Sequence, residues 1–154
     1  MTTVVYHDGV MVADGRLSSG SFILTDNFVK IRDCGKHIVG LAGDADCFEE
    51  VWKWYSGGCK IKSKPKGSYE TLAYEKATGT IHTYEMKSKR CVQLPSGESA
   101  AIGAGSEYAK VAMSCGKTAL ETIALVAQFN SDTGGKPTVV ACSSATVKKK
   151  ARTK

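Results

Sequence analysis

The chain has 154 residues, 42% of them hydrophobic and 23% charged, with a formal net charge of +6. That length supports one domain with one sizeable core, and the composition is that of a globular protein, not a disordered or fibrous one. No apolar run approaches the roughly 18 residues of a spanning helix, and the N-terminus has neither the basic region nor the apolar run of a signal peptide, so no membrane partner and a cytoplasmic location are expected.

The charge is unevenly placed. Lys60, Lys62, Lys64 and Lys66 fall in one short stretch, and Lys148, Lys149, Lys150, Arg152 and Lys154 form a tail; with these nine set aside, the +6 total becomes −3 for the rest. Two basic appendages on a mildly acidic body read as a solvated loop and a solubilising tail, or as contacts for nucleic acid or an acidic surface. Neither stretch interleaves aromatics, which weighs against single-strand binding. The domain is therefore expected over residues 1–147, with 148–154 a disordered tail. The six cysteines (Cys34, Cys47, Cys59, Cys91, Cys115, Cys142) form no CxxC pair, which argues against a zinc ribbon or redox motif and for reduced thiols.

In chain order, Thr3–His7 and Val10–Ala13 flank Asp8-Gly9, a strong hairpin signal. Thr2 then opens a strand and Asp14 closes its partner. Gly15–Ser21 reads as a polar loop. Phe28–Arg32 and His37–Ala42 read as a second strand pair, with Lys30 facing away from Val29 and Ile31. Asp44–Tyr55 is predicted as a helix with Asp44 as N-cap and an apolar stripe of Phe48, Val51, Trp52 and Tyr55; Phe48 and Trp52 are expected in the core. Gly57-Gly58 ends it. Tyr69–Glu75 and Thr80–Met86 read as strands turning at Ala77-Thr78-Gly79, and Ser99–Ala104 as another. Gly105-Ser106 opens a helix to about Cys115. Thr118–Phe129 follows, opened by the capping box Thr118/Glu121, with Leu120, Ile123, Ala124 and Ala127 expected on its buried face. Pro137–Cys142 is the last strand. The element order implies a layered α+β fold.

If Met1 is removed, the chain begins with a threonine. A terminal threonine carries a hydroxyl and, on the same residue, an α-amine that titrates near ~7.7–8.0, so it supplies both nucleophile and base. A lysine ammonium nearby lowers the hydroxyl pKa, and a carboxylate keeps that lysine charged.

Four segments in order carry a resemblance: Thr2-Thr3-Val4-Val5 with Val12-Ala13-Asp14-Gly15-Arg16, Phe28-Val29-Lys30-Ile31-Arg32, Gly40-Leu41-Ala42-Gly43-Asp44-Ala45-Asp46, and Ala101-Ile102-Gly103-Ala104-Gly105-Ser106. Together they resemble the N-terminal nucleophile hydrolases of the proteasome β-subunit group and the bacterial proteasome-like peptidases. The resemblance implies a four-layer αββα sandwich over residues 2–143. It implies Thr2 as nucleophile, Asp14 and Lys30 as its charged pair, and the Gly43 N–H as oxyanion donor, with no metal or organic cofactor. It further implies a ring assembly, a peptide or unfolded-protein substrate and an ATP-dependent unfoldase.

The sequence also departs from that pattern. The second long helix that follows the first in the family has no room between Tyr55 and Tyr69, so one helix of a helical layer is expected to be missing. A serine that holds the terminal amine is Ala104 here. The late aspartate maps near Asn130, with Thr133 at the following serine and Asp132 close by. Short subunits of this kind are similar to ones encoded by some bacteriophages, which makes a virion-associated, catalytically inactive assembly protein the alternative to a threonine peptidase.

Overall fold

Asp8 and Gly9 both adopt positive φ, 50° and 79°. That is the requirement of the two-residue turn whose twist matches a hairpin, and it folds β1 (Thr3–His7) back on β2 (Val10–Ala13). β10 (Ala100–Gly103) and β11 (Thr138–Ala141) flank this pair in an antiparallel sheet of order β10-β1-β2-β11. A second antiparallel sheet has the order β5-β6-β7-β8-β9, from Ile31–Asp33, His37–Gly43, Tyr69–Glu75, Ile81–Glu85 and Arg90–Leu94. The computed structural model describes residues 2–142, so Met1 and the basic tail Lys148–Lys154 lie outside the described residues.

Strand alternation sorts the core into three clusters. Val4 and Tyr6 of β1 and Met11 and Ala13 of β2 pack against Ile38, Ala42, Leu72, Tyr74 and Ile81 of the other sheet. The opposite parity, Val5 and Val12, packs on α2 (Ser106–Ser114) and α3 (Ala119–Phe129) through Ala109, Met113, Ile123 and Val126. On the far face of the five-stranded sheet, Val39, Leu41 and Ala73 pack on Phe48, Val51 and Trp52 of α1 (Phe48–Ser56). Burial on both faces is why β1 and β2 read as continuous apolar runs instead of alternating ones. Phe48 and Trp52 are core residues, as expected, and the Trp52 indole donates to the Val39 carbonyl at 3.1 Å.

The Thr118/Glu121 capping box is formed in full. Several expectations need correction. Residues 15–21 are not a plain loop: Leu17–Ser19 (β3) and Phe22–Thr25 (β4) form a two-stranded hairpin. Its apolar side chains Phe22, Ile23 and Leu24 are exposed, so the hairpin lacks a burial pattern to announce it. The edge strand β9 was not foreseen for the same reason; most of it is exposed. Asp44 makes no side-chain cap, because a 3₁₀ turn over Ala45–Cys47 precedes α1. In α3 the buried face is Ala119, Thr122, Ile123 and Val126, while Leu120 and Ala124 are exposed. The six cysteines are unpaired, with Cys34 and Cys47 buried.

The two sheets approach closely at Gly40, where a Cβ would stand 2.5 Å from Val4 Cγ1 and 3.2 Å from Met11 Sδ. Gly40→Ala therefore overpacks the inter-sheet core and should lower stability by about 1–3 kcal/mol, read as a shift of the urea unfolding midpoint at unchanged slope; an unshifted midpoint would contradict the packing described.

Candidate active site

Asp14 follows β2 directly and is completely buried, as is Lys30, which precedes β5. Two buried charges are tolerated only when paired and hydrogen-bonded, and both conditions are met. Lys30 Nζ donates to Asp14 Oδ1 at 2.9 Å and also to the Arg16 carbonyl. Asp14 Oδ1 accepts a second bond from the Thr3 amide at 3.1 Å, and Oδ2 accepts from the amides of Arg16 (3.2 Å) and Gly134 (3.1 Å). Loss of water around Lys30 pulls its pKa below the ordinary lysine value, and the Asp14 carboxylate opposes that pull.

Thr2 has the parity of Val4 and Tyr6, so its side chain faces the space between the sheets, while Thr3 faces α2 and α3. The backbone holds Thr2 from its carbonyl, which accepts from the Ala104 amide at 2.9 Å. Gly103 makes this approach possible: its φ is +91°, and a Cβ there would sit 1.8 Å from the Thr2 oxygen. Thr3 Oγ1 bonds Thr133 Oγ1 at 2.7 Å and accepts from the Gly105 amide at 3.1 Å.

At the end of β6, Gly43 has a φ of +108°, and a Cβ would meet the Ser68 carbonyl at 2.4 Å. The Asp44 amide bonds that same carbonyl at 2.8 Å. Thr2, Lys30, Gly43 and Asp132 line one cleft of about 460 Å³. Its apolar wall includes Leu17, Phe28, Ala45 and Phe48.

Of the seven residues singled out in the sequence, Thr2, Lys30, Gly43 and Asp132 share this cleft, and Asp14 stands directly behind Lys30. Thr133 spends its hydroxyl on Thr3. Asn130 turns inward on its own loop, its Oδ1 accepting from the Asp132 amide at 2.9 Å. Sequence reasoning missed Gly134, whose amide completes the Asp14 shell, and Arg16. The Arg16 guanidinium ties Asp26 (2.9 Å) to the Ser131 carbonyl (3.1 Å) and so fixes the loop that carries Asp132. A glycine in a polar turn and an arginine after a strand give no signal of such long-range bonds. Among the described residues, one group of side chains that could hold a metal ion, His37, Glu75 and His82, lies outside the cleft.

No protein-family model matches the sequence, and no curated protein is similar to it. Solved structures are. HslV from Trypanosoma brucei matches with a TM-score of 0.66 at 12% identity, over 90% of this chain and 97% of that one. BPH from Thiobacillus denitrificans, a bacterial proteasome-like peptidase, matches with a TM-score of 0.62 at 19% identity, over 93% and 98%. The same protein in complex with epoxomicin matches with a TM-score of 0.61, over 92% and 98%. No helix among the described residues is long and apolar enough to cross a membrane. With its paired antiparallel sheets, its three α-helices and these structural neighbours, the chain has the proteasome β-subunit-like fold of the N-terminal nucleophile hydrolases.

Proposed function

We propose that the protein is a threonine-type peptidase of the proteasome-like kind, with Thr2 as nucleophile once Met1 is removed. The observation that carries this reading is the fully buried Asp14–Lys30 pair, at 2.9 Å, whose Lys30 lines one cleft with Thr2 and Gly43. Thr2 Oγ1 attacks the peptide carbonyl and its proton passes through a water to the Thr2 α-amine. Lys30, kept as an ammonium by Asp14, stabilises the developing alkoxide. The Gly43 N–H donates to the tetrahedral oxyanion, a role worth about 2.7–4 kcal/mol where it has been measured. The α-ammonium returns the proton to the leaving amine. Water then hydrolyses the ester left on Thr2.

The same reading stacks the layers as an αββα sandwich with one helix missing over the five-stranded sheet, a view supported by the three separate core clusters. It also places the chain in a ring that degrades peptides or unfolded protein fed by an ATP-dependent unfoldase. Exposed Tyr108, Val111 and Phe129 on α2 and α3 favour self-association. Lys60, Lys62 and Lys66 remain exposed for an acidic surface or nucleic acid, while Lys64 is spent on Tyr84, 3.4 Å above its ring.

One set of observations favours a second reading, an inactive assembly protein of the same fold. Ala104 offers no hydroxyl near Thr2, Asn130 is spent on its own turn, and Thr133 is spent on Thr3. Losing one charged hydrogen bond on the base costs roughly 1.5–3 kcal/mol, a slowing of about ten- to a hundredfold.

The readings separate on the intact mass of protein purified from cells and on Thr2→Ala. A peptidase lacks Met1 and cleaves a fluorogenic peptide with an apolar residue before the bond, chosen for the Leu17–Phe28–Phe48 wall. Thr2→Ala should lower that rate by about a thousandfold or more. Retained Met1, or equal rates for Thr2→Ala and wild type, sinks the peptidase.

Lys30 gives a pH test whose sign is fixed. Burial lowers its pKa, so the ammonium is lost at lower pH than in a free lysine. The alkaline limb of kcat/KM should therefore lie below ~10.4, and the acid limb should follow the Thr2 amine near ~7.7–8.0. Between the folded and unfolded lysine pKa the unfolded chain binds the extra proton, so this group's contribution to stability rises with pH across that window. An alkaline limb at or above the free-lysine value would contradict the role.

Lys30→Met leaves Asp14 buried without its cation and should cost about 3–5 kcal/mol of stability. Chemical denaturation checks that figure, and activity of this variant should be compared only where it remains folded.

A further inference from the structure

At the end of the five-stranded sheet remote from the cleft, three metal-ligating side chains converge. His37, Val39 and Leu41 share one parity on β6, and the latter two pack toward α1. His37 therefore lies on the α1 face. Register pairs His37 with Glu75 on β7, and pairs Ala73, also in the α1 cluster, with His82 on β8. All three side chains thus emerge from neighbouring strands on one face. They are half-buried, and their ligand atoms lie within 4.8 Å of one another.

We propose that His37, Glu75 and His82 form a zinc-binding site. A tetrahedral zinc holds nitrogen and oxygen ligands at ~2.0–2.2 Å, which sets neighbouring ligand atoms about 3.3 Å apart. His82 Nε2 and Glu75 Oε2 are already 3.2 Å apart. The His37 ring stands beside that of His82, 6.2 Å between centroids and inclined at 78°, with its ligand nitrogen within 4.8 Å of the other two ligand atoms. Glu75 is also pre-oriented: its Oε2 accepts from the hydroxyls of Thr78 at 3.0 Å and Thr80 at 3.1 Å. Bonds of this kind hold a ligating carboxylate in place in metal sites. Three protein ligands leave a fourth position for water, and the site opens onto a cleft of about 260 Å³ beside Tyr55 and Cys91. The ion would cross-link β6, β7 and β8 beside Tyr55, near the end of α1. The proposal is independent of whether Thr2 is catalytic.

The test titrates Zn²⁺ into the chelator-stripped full chain by calorimetry, with thermal unfolding alongside. One equivalent should bind and raise the Tm, since a ligand specific to the folded state stabilises it. His37→Ala and His82→Ala should each weaken binding by at least about 100-fold, and Thr80→Val by about tenfold. Cys59→Ser/Cys91→Ser should bind as wild type does. No binding, undiminished binding in the His37→Ala/His82→Ala double variant, or loss of binding in the cysteine variant overturns the site. If the histidine variants do not fold, the wild-type Co²⁺ spectrum decides: a tetrahedral ligand field without thiolate charge transfer supports the site, and a thiolate band overturns it.

Discussion

The buried pair of Asp14 and Lys30 is the constraint on which the rest of the architecture depends. Both side chains are almost wholly withdrawn from water, at 0% and 1% exposure. Each ion forgoes several kcal/mol of hydration, and attraction alone does not repay that unless the remaining hydrogen-bonding capacity is met. Asp14 is met by Lys30 and by three amides, from Thr3, Arg16 and Gly134. These donors come from the start of β1, the approach to β3, the approach to β5 and the turn before β11. A shift of any one segment would strand a charge. The pair therefore selects one placement of four chain segments, which is a statement about specificity more than about net stability.

Thr2 inherits its position from that selection. Its own carbonyl is fixed by Ala104, and its neighbour Thr3 is fixed from three sides: amide on Asp14, carbonyl on the Asp14 amide at 3.2 Å, hydroxyl on Gly105 and Thr133. With β1 clamped on both edges and buried on both faces, the residue before it has little freedom left. Such rigidity suits the nucleophile role proposed for Thr2, since near-attack geometry accounts for a large share of a barrier reduction. Ala104 and Asn130 do not affect this clamping, because only the backbone of Ala104 takes part in it. On the proposed mechanism they would remove polar support around the Thr2 amine, so these two positions would bear on the base and not on the placement of the hydroxyl.

The sequence was most legible where one physical signal dominated. Asp8-Gly9 fixed a hairpin through its turn geometry, Thr118 and Glu121 marked a helix start, and the Phe48–Trp52 stripe marked a buried face. It was least legible where burial was weak or decided from far away. β3, β4 and β9 are short and have no fully buried residue, so no alternation marks them. Leu120 looked like core by residue type, but the register of α3 on the sheet turns Ala119 and Thr122 inward instead. The candidate site divides in the same way. Thr2 and Asp14 are brought near each other by one local hairpin, which a sequence encodes openly. The Gly134 amide reaches Asp14 across 120 residues, and nothing near residue 134 announces it.

β6 joins the two polar centres of the molecule. It begins at His37, in the histidine–glutamate cluster, and ends at Gly43, in the cleft. Six steps of about 3.3 Å put these ends roughly 20 Å apart. An ion at the His37 end would bear on the cleft through the strand itself, by holding β6 in register with β7. That register also sets Gly43 against Tyr69 and presses it onto the Ser68 carbonyl. On the two proposals the strand separates two tasks: the chemistry would belong to the end of β6 that meets the Thr2 cleft, and the opposite end, beside Tyr55 of α1, would carry the cross-link.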